Sequence, residues 1–367
     1  MIIGIDGNEA NVERRVGISE YAFELLLQFK SSQKEHITFQ IYLKDIPLPH
    51  MPKESANWHY ILVKPRKFWT QLGLPLYLFT HRRPDVFFTP SHYAPRFSPV
   101  PTAIAIMDVA YLKFPELFAS KDLYQLREWT KYSAHNAKKI FTISESSKND
   151  IIKEYQAKPG NVIVTYPGIK ENSRGETMFL SKKHMDELKK KFTISENYIL
   201  FVGTLQPRKN ITKLIESFSE VLKKSKKKDL ELVIVGKKGW QYEEILEAPE
   251  KFGVSDNVKF LDFVSDEDLP SLYKHALCYV LPSLYEGFGL PVLEAMKYDC
   301  PVITSNVSSM PEAGGDAALY VDPTDVADIT EKIVTLIDNE KLRQELIGKG
   351  QKQIKKFSWE KTAKETL

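Results

Sequence analysis

A chain of 367 residues is too long for one hydrophobic core, which stops growing at roughly 250 to 300 residues, and is well suited to two. Hydrophobic residues at 43% and charged residues at 27% exclude a disordered, fibrous or membrane-bundle protein, and no window reaches the ~18 uninterrupted apolar residues of a membrane span. The 51 basic and 48 acidic residues leave a net charge of +3, too nearly balanced for a nucleic-acid footprint, so no nucleic-acid partner is expected.

The chain opens with "MIIGID" (1–6), which reads as a strand and lacks the basic start and apolar core of a signal peptide. In "VGISEYAFELLLQF" (16–29), Ile18, Tyr21, Ala22, Leu25, Leu26 and Phe29 recur at the helical period. The runs "ITFQIYL" (37–43), "DVFFTP" (85–90), "TAIAIMD" (102–108) and "KIFTIS" (139–144) read as strands, with "YQLREWTKYSAHNA" (124–137) a helix between the last two. The segment "KPRKFWTQLGLPLYLF" (64–79) mixes basic and aromatic residues and supports two readings, a lipid-facing helix and a core helix.

From residue 168 the pattern dissolves into polar, lysine-rich sequence until 196. The strand grammar then restarts with "YILFVG", "ELVIVG", "NVKFLDF", "CYVLPS", "PVITS" and "AALYVD", interleaved with helices such as "NITKLIESFSEVLKK". The expected organisation is an α/β protein of two Rossmann-like domains, 1–170 and 197–350. A linker at 171–196 joins them, and a helix within 351–367 packs back on the first. Open parallel sheets bind ligands beyond the carboxyl ends of their strands, so a cleft between two such sheets is the expected site. The cationic run "KKSKKK" (223–228) reads as a solvated helix end, or alternatively as a contact for an anionic membrane. Cys278 and Cys300 sit in apolar company and form no disulfide framework.

The chemistry concentrates in "SLYEGFGLPVLEAM" (283–296). A strand enters a glycine loop that leads into a helix opened by Pro291, whose missing N–H costs nothing there. The helix N-terminus favours an anion, and Gly287 and Gly289 allow close approach of backbone to a phosphate. Glu286 and Glu294 flank that turn and suit sugar hydroxyls, since carboxylates repel phosphate; the plainer alternative is a simple turn with Glu294 solvated on a helix face. "GFGLPV" lacks the third glycine of a dinucleotide fingerprint, Val292 standing there. "FVGTLQPRKN" (201–210) carries Arg208 and Lys209 beyond a strand, where they can hold a diphosphate leaving group or serve a surface salt bridge. "SDEDL" (265–269) imitates a metal motif but fits a helix cap from Ser265, with Asp268 three positions on. No other metal spacing, nucleophile elbow or phosphate-loop lysine occurs, and no metal is expected.

The segment "PSLYEGFGLPVLEAM" resembles the Glu-x7-Glu signature of the retaining glycosyltransferases of family 4, the glycosyl transferases group 1, and in particular their mannosyltransferase-like members. "GIDGNEANVERRVGISEY", "FTISESSKNDI", "FVGTLQPRKN" and "SSMPEAGGDAALYVDP" extend the resemblance along nearly the whole chain. It implies the GT-B fold, two facing Rossmann-like domains with a cleft between them. It also implies that Glu286 contacts the transferred sugar, that Glu294 binds the nucleotide ribose, and that the backbone of Gly287, Phe288, Gly289 and Leu290 lies against sugar and diphosphate. Lys209 matches the phosphate lysine, Thr204 stands where an arginine is usual with Arg208 supplying the cation, and Gly17 matches the glycine loop near the diphosphate.

Where many relatives carry His-Asp, this chain has Met107 and Asp108, which leaves donor-sugar handling to the Met107 backbone or to Asp108. Asp262 and Asp299 replace common glycines. The implied activity is retaining, metal-independent transfer of a mannose- or glucose-type hexose from a nucleotide-diphosphate sugar to a hydroxyl of a glycan or lipid-linked acceptor. No cofactor is expected beyond the donor substrate. The expected location is cytoplasmic, with peripheral attachment at the inner face of the cytoplasmic membrane as a further expectation. The alternatives are a nucleotide-sugar 2-epimerase and a non-catalytic nucleotide-sugar binding protein, the latter favoured by Met107.

Overall fold

Short β-branched and aromatic runs form strands, and every ladder between them is parallel. Parallel pairing requires crossover segments, which here are mostly amphipathic helices. The computed structural model describes residues 1–32, 35–170, 180–227 and 229–367 and divides into two compact units, Met1–Gly168 with Phe357–Leu367, and Ile169–Lys356.

The first unit holds strands β1 (Ile2–Asp6), β2 (Thr38–Leu43), β3 (Trp58–Leu62), β4 (Val86–Thr89), β5 (Thr102–Ala105), β6 (Lys139–Thr142) and β7 (Val162–Val164), in the order β3-β2-β1-β4-β5-β6-β7. The second holds β8 (Tyr198–Val202), β9 (Glu231–Val235), β10 (Val258–Leu261), β11 (Cys278–Leu281), β12 (Val302–Ser305) and β13 (Ala318–Val321), in the order β10-β9-β8-β11-β12-β13. Each sheet starts in its middle, builds outward on one side, then crosses to the other. The strand order therefore reverses between β1 and β4 and between β8 and β11, the switch points where open α/β sheets leave a crevice beyond the strand ends.

The central strands follow the expected runs. The sequence did not announce β3 and β7, both sheet edges: β3 buries only Trp58 fully, and β7 has three residues. The helix Ile18–Ser31 buries Tyr21, Ala22, Phe23, Leu25, Leu26 and Phe29. The helix Ile211–Lys224 buries Ile211, Leu214, Ile215, Phe218 and Val221 and ends in Lys223 and Lys224. Of the 223–228 lysine run, Lys228 lies outside the described residues.

The expected linker needs revision. Residues 171–179 of it lie outside the described residues, but Lys182–Phe192 is a helix of the second unit. It is capped by Ser181 Oγ, which accepts from His184 N at 3.2 Å, and it buries Met185 and Leu188. At the other end, the expected boundary after 350 falls inside the helix Glu340–Gln353, and the second unit runs on to Lys356.

Segment 64–79 packs into the core along one face and leaves the other exposed. A π-helical turn at Trp69–Gly73 leads into the helix Leu74–Thr80, which buries Trp69, Leu74, Pro75 and Leu78 while Leu72, Leu76 and Phe79 stay exposed.

The C-terminal helix Trp359–Thr366 belongs to the first unit. Ser358 Oγ accepts from Lys361 N at 3.2 Å, Trp359 meets Tyr21 edge-on at 5.9 Å, and Thr362 Oγ1 donates to the Tyr166 carbonyl at 2.5 Å. Trp359→Ala removes a large buried side chain and is expected to destabilise the first unit by about 3–5 kcal/mol. Urea unfolding followed by circular dichroism checks this: the first unit's transition moves to lower denaturant, and unchanged curves would contradict the packing described.

Candidate active site

In the second unit, the loops after β8, β11 and β12 meet at the β8/β11 switch point. The chain leaves β8 through the turn Pro207–Lys209, after which Asn210 adopts a left-handed conformation (φ 59°) and the helix Ile211–Lys224 begins. The turn thereby carries Arg208 and Lys209 to the neighbouring loop after β11.

There Glu286 receives both. Lys209 Nζ donates to Glu286 Oε1 at 2.6 Å, Arg208 Nη1 to Oε2 at 2.9 Å, and Ser283 Oγ to Oε1 at 2.8 Å. Lys209 and Glu286 are buried, 8% and 7% exposed, so this is an internal ion pair rather than a surface salt bridge. Burial alone would raise the Glu286 carboxyl above its ordinary 4.5, but the charges of Lys209 and Arg208 outweigh it and hold the group at about 2. Glu286 thus has two cationic partners, which its local sequence did not indicate.

The loop is fixed from both sides. Arg208 Nη1 also donates to the Tyr285 carbonyl, and Leu284 N donates to the Arg208 carbonyl at 2.9 Å. Asn210 Nδ2 donates to the carbonyls of Pro282 (3.0 Å) and Pro323 (2.7 Å). From the β12 side, Ser308 Oγ and Ser309 Oγ both donate to the Glu286 carbonyl, at 2.7 and 2.9 Å. Gly289 closes the turn at φ 105°, where a side chain would be strained and its Cβ would collide with Met310. Phe288 is buried, and the helix Leu290–Lys297 follows with Pro291 in its first turn.

Glu294 lies one turn into that helix. Burial pushes its carboxyl upward, opposed by the Tyr273 hydroxyl, which donates to it at 3.4 Å, and by the more distant Lys170 and Lys297 charges. That long bond leaves the carboxylate with accepting capacity for hydroxyl donors.

Thr204 is exposed beside Gly239. Gly17 and Asp108 belong to the first unit. Gly17 has φ 54° and precedes the helix Ile18–Ser31, and Asp108 Oδ1 accepts from Ala110 N at 2.9 Å. Ser265 Oγ accepts from Asp268 N at 3.1 Å, as a cap does. The Asp268 carboxylate turns to Lys191 (2.7 Å) and His184 (3.1 Å), which pins the Lys182–Phe192 helix.

Sequence reasoning missed Ser283, Asn210, Ser308 and Ser309. Ser283 alone had a local signal, three residues before Glu286.

The first unit has its own cavity of about 280 Å³, reached by residues beyond β1, β2 and β4. Asp6, Asn8, Glu9, Tyr93, Gln125 and Trp129 contribute to its wall, with Lys44, Ser91 and residues 66 and 68–71. Burial raises the Asp6 carboxyl to about 6 against the pull of its hydrogen bonds from Asn8 N (3.0 Å) and Nδ2 (2.6 Å). Carboxylate, amides and aromatic faces in one small cavity suit a polyhydroxylated ligand.

Because the Glu286 carboxyl is lowered by folding, its pairing stabilises the protein above pH 4.5 and is lost as pH falls towards 2. Glu286→Gln is therefore expected to be several kcal/mol less stable than wild type at pH 7, of the ~3–5 kcal/mol order of a broken buried pair. The gap should narrow on acidification, which chemical denaturation at a series of pH values measures. A gap constant with pH would contradict the ionised pair.

The profile of the glycosyl transferases group 1 matches residues 184–353. Among curated proteins, O-antigen chain mannosyltransferase B of Escherichia coli is 32% identical over 261 residues, which cover 71% of this chain and 67% of that protein. Solved structures also resemble the whole chain. Sucrose-phosphate synthase from Thermosynechococcus elongatus gives a TM-score of 0.73 at 18% identity, covering 100% of this chain and 97% of that one. Anabaena HepE, solved in complex with UDP and glucose, gives 0.72 at 16% identity with 100% and 97% covered. The fold is GT-B, and the chain belongs to the glycosyl transferases group 1.

Proposed function

We propose that this glycosyltransferase moves a hexose, of mannose or glucose type, from a nucleotide-diphosphate sugar to a hydroxyl of a glycan or lipid-linked acceptor, with retention and without a metal. The observation that carries this reading is the buried Arg208–Lys209–Glu286 cluster beside the Gly287–Gly289 turn. Two cations and one carboxylate leave a local charge of +1 where the diphosphate would sit, so an arriving anion is favoured. As its oxygens take over hydrogen bonds from Arg208 and Lys209, Glu286 becomes an acceptor for the transferred sugar's hydroxyls. Glu294 offers its carboxylate to the ribose diol.

In the proposed reaction the bond from the anomeric carbon to the diphosphate oxygen breaks, and the acceptor oxygen bonds the same face of that carbon. The acceptor's proton passes to the departing phosphate oxygen. Charge growing on the diphosphate meets donors already in place, which is the main source of rate acceleration in such sites. With two fixed cations on the leaving group, a divalent metal is not needed for that task.

The mannosyltransferase name of the E. coli relative supports a mannose donor and a polysaccharide acceptor, and the UDP and glucose in HepE support a nucleotide-sugar donor. The acceptor is assigned to the first unit's cavity, where Trp129 and Tyr93 present aromatic faces and Asp6 and Asn8 present polar atoms.

Thermal shifts with UDP, GDP, ADP and their sugars identify the donor. One base should stabilise wild type, equally well in EDTA, with affinity reduced about tenfold or more in Glu294→Ala, as loss of a charged hydrogen bond implies. Lys209→Ala should lower kcat about 10²- to 10³-fold. Incubating the donor without acceptor tests the epimerase alternative, and the anomeric configuration of the product, read by NMR, tests retention. No nucleotide response at all would remove the reading.

Trp129→Ala should raise the acceptor KM at least about tenfold while donor affinity stays unchanged. An unaltered acceptor KM would exclude the cavity as the acceptor site.

A further inference from the structure

Residues 64–84 contain five basic side chains, Lys64, Arg66, Lys67, Arg82 and Arg83, and no acidic one. Between the two basic ends runs the helical stretch 69–80, whose buried residues anchor it in the first unit's core. Its opposite face carries Leu72, Leu76 and Phe79, spaced four and three residues apart and so aligned along one side. Phe68 precedes them. Phe97 lies on the adjoining loop, which is tied to the stretch by Arg96 N donating to the Thr70 carbonyl at 3.1 Å. All five are between 51% and 72% exposed. Phe68 and Phe97 also hold left-handed backbones, φ 54° and 51°, a conformation costly for a bulky residue. Among the described residues no helix is long and apolar enough to cross a bilayer.

We propose that this face is a peripheral docking surface for an anionic lipid bilayer, with Phe68, Leu72, Leu76, Phe79 and Phe97 entering the interface and the basic residues at either end meeting lipid phosphates. Charge complementarity decides the occupant. Lys67 lies over the Phe68 ring at 5.7 Å and Arg83 over the Phe79 ring at 5.7 Å, so each end couples a cation to an aromatic, the arrangement of an interfacial helix. Asp45 engages Arg66 in an ion pair, while Lys67, Arg82 and Arg83 are exposed. Phe68, Trp69, Thr70 and Gln71 of the same segment also line the 280 Å³ cavity. Docking thus brings that cavity against the lipid surface, which, if the cavity takes the acceptor as proposed above, selects a lipid-linked one.

Co-sedimentation of the full chain with vesicles tests the surface without donor or acceptor, so its result does not depend on the transferase reading. Wild type is expected to pellet with phosphatidylcholine vesicles containing phosphatidylglycerol and not with phosphatidylcholine alone, and to be released by salt. Leu72→Ser/Leu76→Ser/Phe79→Ser and, independently, Arg82→Glu/Arg83→Glu should each reduce partitioning about tenfold or more with an unchanged thermal midpoint. Absence of wild-type binding, equal binding to both vesicle types, or full binding by both variants overturns the proposal. Light scattering that shows a wild-type dimer made monomeric by the triple substitution also overturns it, in favour of a second copy of this chain as the occupant.

Discussion

A buried carboxylate shared by two cations organises the second unit's site. Arg208 and Lys209 leave β8 while Glu286 leaves β11, and 77 residues separate Lys209 from its partner. Unpaired burial of Lys209 would be expensive. Glu286 supplies the counter-charge, and Ser283 fills a remaining acceptor position. The backbone bonds from Ser308, Ser309, Asn210 and Leu284 then follow, because the loops they join have been drawn together. Glu286 thereby holds both cationic side chains against the loop after β11.

Topology explains why the polar groups of both units collect where they do. The two sheets have the same plan, with a central first strand and a reversal of strand order beside it. Beyond β1 and β4 this leaves a cavity walled by Asp6, Ser91 and Tyr93; beyond β8 and β11 it leaves the cationic cluster. One architecture thus yields two polar sites, one lined by acids and bases in equal number, the other built on two cations around one carboxylate. The difference lies at the strand ends and in the loops and helices that follow them, while the strand interiors carry the packing.

Much of this was legible in the chain. The central strands are continuous apolar runs because both faces are buried, and the helices show their buried stripes at the proper period. The glycine turn between Glu286 and Glu294 marked the site through local chemistry. The ion pair was not legible, since nothing local links position 209 to 286. Edge strands β3 and β7 were too short or too mixed to stand out. The 171–196 segment looked like a linker because Met185 and Leu188 are two apolar residues in a lysine-rich run, too few to reveal that Asp268 would hold their helix down. Asp299 has a left-handed backbone (φ 57°), and its carboxylate answers Lys274 and Gln351.

The first unit is discontinuous in the chain, since its last element, Trp359–Thr366, follows the whole of the second unit. During synthesis the Tyr21 face of the first helix therefore emerges long before the tryptophan that covers it. For that interval the nascent first unit keeps an unfinished apolar surface, while the second unit, contiguous from 169 to 356, can close as soon as it leaves the ribosome. Completing the part made first thus waits for residues 357–367, which are made after the whole of the second unit.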